Sequence, residues 1–458
     1  MNHSAFARPT RVRYSILALL CFLAMITYLD RAMNGNAKKD MMASLGRPEA
    51  DFFWVLTCFQ LAYALFEIPT GWMGDTFGPR KTLLRIVLWW SVFVAVTGCT
   101  GLAWPGTETV VISFGVLMVV QFLFGVGEAG AFPNIARSLY NWFPAHKRGF
   151  AQGAIWLSAR LAGGLTPCLW VLLVTMGGLT WRQAVWLFAG VALVWSAVFF
   201  VWFRNRPDEH PATNAAERDL IDAGRAPAAG HAGVPWRRIF TSRNVWALCA
   251  MYMVTNFNWY FLLYNLPLML KDRFKHWAET DGGKVELALL GGAPLLVGMA
   301  GCLLGGLMTD AYIRRTGDRK WGRRIFAMIG YGMAGLFYLA ATAFTDDLWP
   351  FAICLMLVGF FNDFIMGPSW AAAQDIGRRY SAIVSGTMNM VGNLGATLGI
   401  VVTGSILKSY TVDGVTDPHG YAVCFTLYAV IYFLGVGAWL FIDASKPIEE
   451  DRERTPTS

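Results

Sequence analysis

The chain has 458 residues, of which 55% are hydrophobic and 15% charged, and its formal net charge is +8. A soluble protein of this length would have about three domains, and an average soluble domain is about 25% charged. This chain has too few charged residues to cover the surfaces of such domains. The 38 Lys and Arg lie in short loops rather than on one face or in one tail, which argues against a nucleic-acid partner.

Apolar runs of about 20 residues recur along the whole chain, and that length crosses a ~30 Å hydrocarbon layer. We therefore predict an all-α membrane protein with twelve transmembrane helices. The runs lie at about 14–36, 51–72, 82–104, 110–138, 149–176, 183–203, 244–270, 287–311, 325–344, 348–370, 381–407 and 420–442. Most basic residues fall in loops on the side of the N-terminus, so both termini are predicted to be cytoplasmic.

The first run begins after Arg8, Arg11 and Arg13 and has the basic start of a signal peptide. It is too long for one, lacks a small-x-small cleavage site and ends in Asp30-Arg31, so we interpret it as a retained span. All eight cysteines lie in apolar runs without C-x-x-C spacing, which favours small buried residues over a disulfide framework or a metal site. No metal and no cofactor are predicted.

One long polar stretch, from Arg204 to Arg243, separates the sixth and seventh runs. Residues 215–221 are predicted to form a short amphipathic helix, and the remainder has the composition of a linker. The predicted organisation is an N-terminal six-helix half (1–204), a cytoplasmic linker (205–243), and a C-terminal six-helix half with a cytoplasmic tail (244–458).

The loops after spans 2 and 8 share a spaced pattern, in which a Gly precedes an Asp by four residues and basic residues follow. The same pattern at the same position in each half indicates a structural repeat. Two six-helix halves with this loop in each resemble the major facilitator superfamily, whose fold places a midplane site between its halves. An ordinary tight loop with positive-inside charges is the alternative. The cytoplasmic gate predicted from this resemblance comprises Gly71, Asp75, Gly78, Arg80, Lys81, Gly306, Asp310 and Arg314.

Ionisable residues inside the hydrocarbon region are costly and are functional candidates for that reason. None of the six histidines lies inside a span, so any coupling proton is predicted to be carried by carboxylates. Glu67 lies two turns from a cytoplasmic loop and is interpreted as a gate or packing residue. The ionisable residues within spans are Asp30, Arg31, Glu67, Glu128, Arg160 and Asp363.

Span 1 ends TYLDRAMNGNA and span 4 contains GEAGAFP, and both resemble the anion:cation symporter family of bacterial sugar-acid/proton symporters and vesicular glutamate transporters. Tyr28 and Tyr63 fit the family pattern in spans 1 and 2. The resemblance implies that Arg31 binds the substrate carboxylate, while Asp30 and Glu128 bind and release the coupling proton. The chemistry agrees, because a guanidinium presents paired donors to a carboxylate. A buried ion network that only holds spans together is the alternative.

The sequence departs from the family pattern at Gln121, where members usually carry an Arg seven residues before the span 4 Glu. Arg160 in span 5 is a candidate to replace that charge; the alternative is a structural pair with Glu128 or Asp363. Asp363 itself is interpreted as a second proton site or as an acceptor for substrate hydroxyl groups.

Polar side chains suited to hydroxyl groups occur in the C-terminal half, where hydrogen bonding between helices is the alternative role. Two of them, four residues apart, share one face of span 11. The predicted substrate-binding residues of this half are Asn256, Tyr260, Trp370, Asn389 and Asn393, and those of the N-terminal half are Tyr28, Arg31, Tyr63, Gln121 and Arg160.

The sequence thus predicts a secondary active transporter of the bacterial inner membrane that imports an organic anion, of hexonate or hexarate type, by proton symport with rocker-switch alternating access. Its predicted partners are the anion, protons and membrane lipid, and it is predicted to be a monomer. The alternatives are an importer of aromatic or dicarboxylic acids, an exporter of drugs or metabolites, and a membrane sensor that does not transport. No nucleophile–base pair or phosphate loop supports an enzyme.

Overall fold

The computed structural model describes residues 8–104, 106, 111–223, 234–412 and 415–448. Helices dominate this part of the chain, and the only paired strands described are the short antiparallel β1 (Thr411–Val412) and β2 (Val415–Thr416). The helices are α1 Val12–Ser44, α2 Phe52–Phe77, α3 Pro79–Thr97, α4 Phe114–Glu128, α5 Ala131–Trp142, α6 Arg148–Trp170, α7 Trp181–Trp202, α8 Ala215–Asp222, α9 Trp236–Thr241, α10 Arg243–Tyr260, α11 Leu266–Arg273, α12 Asp281–Thr316, α13 Arg319–Thr342, α14 Leu348–Phe364, α15 Met366–Gly377, α16 Ser381–Ser409 and α17 Pro418–Trp439.

All twelve predicted spans are helical. Nine stretches of the described residues are long and apolar enough to cross a membrane, and one of these, Leu348–Ser409, contains the predicted spans 10 and 11. Spans 3 and 7 form α3 and α10, and π-helical turns at Val171–Met176 and Phe261–Asn265 extend spans 5 and 7. The prediction of an all-α membrane protein is confirmed.

The first compact unit comprises Met1–Trp142 and Ser158–Ala223. Within it α2 packs on α4, α3 packs on α4 and α7, and α1 packs on α7. In the numbering of the predicted transmembrane spans, these contacts join spans 2 and 4, 3 and 4, 3 and 6, and 1 and 6. Their buried faces combine apolar residues with polar ones such as Glu67, Ser91 and Gln121. Hydrogen-bonding side chains between helices are expected in a membrane bundle, whose outside is covered by lipid.

The second compact unit comprises Phe143–Leu157 and Gly224–Ser458, so the start of α6 packs with this unit although it precedes the linker. Here α12 packs on α14, while α13 packs on α14 and α17. In span numbers these pairs are 8–10, 9–10 and 9–12, which reproduce the pairs 2–4, 3–4 and 3–6 of the first unit. The packing therefore repeats in the two units, as the shared loop pattern predicts.

Span 4 is broken immediately after Glu128. Ala129 and Gly130 leave the helical conformation, and Gly130 has φ +82°, a value that L side chains rarely adopt. A Cβ atom at Gly130 would also overlap the Thr70 hydroxyl of α2. Glu128 is consequently the last residue of α4. It lies at a fixed interruption of the helix rather than within a continuous helix.

The predicted linker helix is confirmed as α8. The carboxylate of Glu217 is fully buried and accepts hydrogen bonds from the backbone N–H groups of Val12 and Arg13, and its Oε1 lies 2.9 Å from Arg13 Nη1. These are the free N–H groups of the first turn of α1, where a carboxylate is most favourable. The first part of the linker therefore belongs to the first unit.

Candidate functional site

Arg31 and Glu128 form a direct ion pair in the first unit. The Nε–H of Arg31 donates to Glu128 Oε1 over 2.7 Å. The Glu128 side chain is 1% exposed, whereas that of Arg31 is 27% exposed. Nη2 of Arg31 and Oε2 of Glu128 have no hydrogen-bond partner among the described residues. The ion pair thus occupies Nε of Arg31 and Oε1 of Glu128, and it leaves one donor of the guanidinium and one oxygen of the carboxylate able to form further hydrogen bonds.

Aromatic rings surround the Arg31 guanidinium. Its Cζ lies 4.4 Å from the ring centre of Tyr63 and 5.7 Å from those of Tyr28 and Phe59. Cation–π attraction at these distances helps to orient the guanidinium, and a side-chain hydrogen bond also joins Tyr63 to Arg31. The three predicted residues Tyr28, Arg31 and Tyr63 are therefore brought together, with Phe59 as a fourth member that the sequence did not indicate.

Asp30 lies near Glu128 but takes no part in the hydrogen bond between Arg31 and Glu128. Successive residues of a helix point about 100° apart, and Asp30 is 1% exposed on the side of α1 that faces Trp90 and Glu128. Both carboxyl oxygens lack a hydrogen-bond partner among the described residues. Asp30 is therefore a buried carboxyl group that faces Trp90 and is not in the Arg31–Glu128 hydrogen bond.

Arg160 joins the same cluster through Tyr28. Its Nη1 donates to the Tyr28 hydroxyl over 3.1 Å, and its Cζ lies 5.8 Å from the centre of that ring. Arg31 and Arg160, from spans 1 and 5, therefore both contact Tyr28. Arg160 is 6% exposed, so its positive charge is held away from water.

Gln121 is used inside the helix bundle. Its amide donates to the Thr97 hydroxyl over 3.0 Å, and its Oε1 accepts from Asn34 Nδ2 over 3.4 Å. The side chain is 2% exposed. These contacts join spans 1, 3 and 4, which is the contribution of a structural hydrogen-bonding residue.

Asp363 is fully buried near the end of α14 in the second unit, where its Oδ1 accepts from Asn362 Nδ2 over 3.2 Å. Trp370 is also fully buried: its indole N–H donates to the Tyr252 hydroxyl over 3.2 Å, and its ring lies 5.4 Å from that of Trp156. Both predicted residues are therefore placed inside the packed helices of this unit.

The predicted amides of the second unit lie on two helices in contact. Asn256 of α10 donates to the Tyr252 carbonyl over 3.0 Å and lies against Gly392 of α16. Asn389 precedes Gly392 by about one turn and is 8% exposed, and Asn393 follows Gly392 directly. The three amides thus lie on α10 and α16, near the point where Gly392 brings these helices together. The side chain of Tyr260 lies outside the described residues.

The predicted gate of the first unit is built on Asp75, whose side chain is fully buried. Its Oδ1 lies 3.5 Å from Nε of Arg137 on α5. Gly71, one turn earlier on α2, is buried. This ion pair joins the C-terminal ends of spans 2 and 4.

The remainder of that loop is a turn held by the end of α7. Gly78 has φ +88° and ends α2. The backbone N–H of Arg80 donates to Asn205 Oδ1 over 2.9 Å, and its guanidinium donates to the Phe200 carbonyl over 2.5 Å. Lys81 is exposed.

The equivalent Asp310 of the second unit forms a denser set of bonds. Its two carboxylate oxygens accept from the backbone N–H groups of Gly149 and Phe150 over 3.1 and 2.6 Å, and from Arg323 Nη1 over 3.0 Å. A Cβ atom at Gly306 would overlap the Gly149 carbonyl, so Gly306 permits this close approach.

Asp375 continues the network. It pairs with Arg148 over 2.6 Å and with Arg323 over 3.2 Å, and the side chains of Asp375 and Arg323 are fully buried. Arg323 therefore lies between two carboxylates. Arg314, predicted for this gate, is instead exposed on the last turn of α12.

The sequence interpretation missed Arg137, Arg148, Arg323 and Asp375. Arg137 lies at the predicted end of span 4, Arg148 and Arg323 lie just before predicted spans, and Asp375 lies beyond the predicted end of span 10. Asp375 could have been predicted from its position, because it is an acidic residue at the end of a span. Many Lys and Arg residues lie in the loops predicted to be cytoplasmic, so an acidic residue there has ion-pair partners nearby.

The sequence profile of the Major Facilitator Superfamily matches residues 20–399 and 311–457. A probable sulfoacetate transporter of Cupriavidus necator is 30% identical over 448 residues, which cover 97% of both chains. A probable galactarate/D-glucarate transporter of Escherichia coli K12 is 26% identical, covering 88% of this chain and 89% of its own.

Solved structures show the same fold. The human organic anion transporter MFSD10 superimposes with a TM-score of 0.65 at 14% identity, over 93% of this chain and 99% of its own. The proton:xylose symporter bound to 6-bromo-6-deoxy-D-glucose superimposes with a TM-score of 0.66 at 13% identity, over 92% of this chain and 94% of its own.

Proposed function

Because the chain belongs to the major facilitator superfamily, we propose that it imports a small organic anion across the bacterial inner membrane, with both termini in the cytoplasm. It is a multi-pass membrane transporter, since the family and the named relatives are transporters and not enzymes. We infer proton symport by rocker-switch alternating access, carried out by a monomer.

The observation that carries this proposal is the Arg31–Glu128 pair. Arg31 is partly exposed and retains a buried Nη2 donor that no described residue accepts from. A substrate carboxylate or sulfonate has the acceptor oxygens that a guanidinium binds in pairs. We infer that the anion takes this second edge of Arg31, which Tyr63 and Tyr28 hold in place by ring contacts.

Proton coupling follows from competition for the same guanidinium. When Glu128 is ionised it binds Arg31, and when Glu128 takes up a proton its hold on Arg31 weakens. Protonated Glu128 therefore favours anion binding, and loss of the proton to the cytoplasm restores the ion pair and expels the anion. Asp30, buried close to Glu128, is proposed as the partner proton site, and Asp363 as a third.

A sugar acid is the favoured substrate class. Two relatives of Escherichia coli are named as galactarate/D-glucarate and D-galactonate transporters. A polyhydroxy acid needs donors and acceptors as well as a cation, and we infer that the amides where α10 and α16 meet supply them. In this proposal Asn256, Asn389 and Asn393 bind substrate hydroxyl groups.

A short dianion that carries a sulfonate is the second candidate. Arg160 contacts the same Tyr28 ring as Arg31, which places two guanidinium groups in one cluster. The relative named as a sulfoacetate transporter matches nearly the whole chain. A two-carbon molecule with acidic groups at both ends would then be bound by its charges alone.

The test is a panel of ligands added to the detergent-solubilised protein while the unfolding temperature is measured. A ligand that binds the folded state raises this temperature in proportion to the logarithm of its concentration over Kd. We expect a hexonate or hexarate to raise it, and sulfoacetate to do so if the second candidate is correct. Stabilisation by neutral sugars or cations, with no effect of any acid, would contradict an anion site.

The two charge networks at the cytoplasmic ends are proposed as the gate. Asp75–Arg137 in the first unit, and Asp310–Arg323–Asp375 in the second, occupy corresponding ends of corresponding spans. Ion pairs of this kind hold one arrangement of helix ends and can exchange partners when the helices move.

A further inference from the structure

The carboxyl group of Asp363 is enclosed on two sides. Its Oδ1 accepts a hydrogen bond from the neighbouring Asn362. Its Oδ2 lies against α12 at Gly298, where an added Cβ atom would be 2.5 Å from that oxygen. Any side chain at 298 would therefore displace the carboxyl group.

The orientation of the Asn362 amide is set from the other side by Tyr432 of α17. The Tyr432 hydroxyl donates to Asn362 Oδ1 over 2.7 Å, and Asn362 is itself fully buried. Since the carbonyl oxygen of this amide accepts from Tyr432, its NH2 group is turned toward Asp363. An ionised carboxylate can only accept hydrogen bonds, so this arrangement matches the ionised form of Asp363.

The protonated form of Asp363 calls for the reverse arrangement. A carboxylic acid donates through its O–H group and needs an acceptor. Rotation of the Asn362 amide by a half turn would present its carbonyl oxygen to Asp363 and its NH2 group to the Tyr432 oxygen. The Tyr432 hydroxyl can take part in both arrangements, because it donates to the amide in the first and accepts from it in the second. In the second arrangement its proton is available to another acceptor, such as the buried Asn258 beside it.

The surroundings of this chain of bonds are aromatic. Two tyrosines of α13 face it, Tyr331 and Tyr338, whose ring centres lie 5.8 and 5.9 Å from that of Tyr432. Asn258 of α10 is fully buried beside Tyr432, and its polar atoms form no hydrogen bond of good geometry with the described residues. A hydrogen bond is electrostatically stronger in such a buried region than in water, so the loss of one of these bonds has a larger effect.

We propose that Tyr432 is a positioning residue for the proton site at Asp363, acting through Asn362, whose amide reverses when Asp363 takes up a proton. This inference rests on the proposed function, in which Asp363 is one of the proton sites. Gly298 serves the same site by leaving room for the carboxyl group.

The test is the Tyr432→Phe variant, which removes one hydroxyl and keeps the ring. The matched control is Tyr338→Phe, since the Tyr338 hydroxyl lies in the same ring cluster and has no hydrogen-bond partner among the described residues. The measurement is infrared difference spectroscopy of the purified protein as a function of pH. The carboxyl C=O stretching band that Asp363→Asn lacks reports the protonation of Asp363 without any substrate.

In the Tyr432→Phe variant the amide is no longer held with its NH2 group toward Asp363. We expect the Asp363 carboxyl band to shift in frequency, because the hydroxyl that fixes the partner amide is missing. In the wild type the Asn362 amide band should change together with the carboxyl band, since the amide reverses when Asp363 takes up a proton. Tyr338→Phe should give the wild-type spectrum. An unchanged carboxyl band in Tyr432→Phe, or an equal change in both variants, would overturn the inference.

A second variant pair guards against a folding defect in Tyr432→Phe. Gly298→Ala should displace the carboxyl group and shift the same band, while Gly292→Ala on the same helix, where an added Cβ atom meets nothing within 4 Å, should not. Equal spectra for these two variants would also overturn the inference. A wild type that shows the band and its titration yet accumulates no anion would instead contradict the proposed function.

Discussion

Arg31 and Glu128 lie 97 residues apart in the sequence and are joined by a hydrogen bond of 2.7 Å between Nε and Oε1. Glu128 lies at the broken end of α4, and Arg31 lies within the continuous helix α1. Because the carboxylate of Glu128 is buried and the guanidinium of Arg31 is partly exposed, a substrate anion can compete with Glu128 for Arg31.

Replacing Arg31 by Lys should weaken anion binding at least about tenfold, which corresponds to about 1.4 kcal/mol. Lys keeps the positive charge but loses the paired, planar donors. The measurement is the Kd of the best ligand from the panel, by calorimetry. Arg47→Lys, which alters an exposed pair with Asp51, should leave the Kd unchanged. Equal affinity of Arg31→Lys and wild type would refute direct binding by Arg31.

Replacing Glu128 by Gln should abolish accumulation of the anion against its gradient and spare exchange of anion across the membrane. A neutral amide cannot release a proton, although it can still leave Arg31 free for the anion. The measurement compares acid-driven uptake with counterflow in proteoliposomes. Glu67→Gln is the control, since Glu67 is a buried carboxyl group of the same unit and should retain gradient-driven uptake. Accumulation by Glu128→Gln would place the coupling proton elsewhere.

Replacing Asp375 by Asn should lower the unfolding temperature by at least about 5 °C. The change leaves Arg148 and Arg323 without a buried carboxylate that they share, and removing one partner of a buried ion pair costs about 3–5 kcal/mol. The measurement is thermal unfolding in detergent. Arg314→Gln, at an exposed position of the predicted gate, should have no effect. An unchanged unfolding temperature for Asp375→Asn would show that the network contributes little.

The linker should release from the first unit as the pH falls below about 6.5, the ordinary pKa of histidine. His210 is buried with its ring centre 4.9 Å from that of Trp202, and its Nδ1 accepts the backbone N–H of Ala212. Burial, together with the charge of Arg204, lowers the pKa of His210. The undocked linker therefore takes up a proton more readily than the docked one, and stability is present above the ordinary pKa and lost below it.

The measurement for this prediction is hydrogen exchange of α8, corrected for intrinsic rates, between pH 5 and pH 7.5. Exchange should accelerate at low pH in the wild type. His210→Gln should remove that dependence, while His419→Gln, at an exposed position, should keep it. A wild type with the same corrected exchange at both pH values would contradict the role of His210.

Run length and composition were sufficient to predict the twelve helices, because the thickness of the membrane fixes the length of each span. The repeat was also readable, since Asp75 and Asp310 occupy the same place in two similar loops. The interruption of the helix after Glu128 could not be predicted from the sequence. Glycine is common in membrane helices, and the sequence does not indicate that Gly130 has a positive φ.

The partners of charged residues were the least predictable part of the site. Asp30 is adjacent to Arg31 in the sequence, yet adjacent residues of a helix point in different directions, and Arg31 pairs with Glu128. Gln121 marks a departure from the family pattern, but its bonds to Thr97 and Asn34 depend on how spans 1, 3 and 4 are packed. Such contacts between distant segments require the three-dimensional structure.

Uptake into proteoliposomes tests the proposed symport most directly. Labelled hexonates, hexuronates, hexarates, sulfoacetate and aromatic acids are offered with the outside acidic, with and without a protonophore. Symport predicts accumulation of one acid above its equilibrium level, collapsed by the protonophore and absent in Glu128→Gln. Equilibration without accumulation, or accumulation that the protonophore leaves intact, in a correctly oriented and folded preparation, would contradict proton-coupled import.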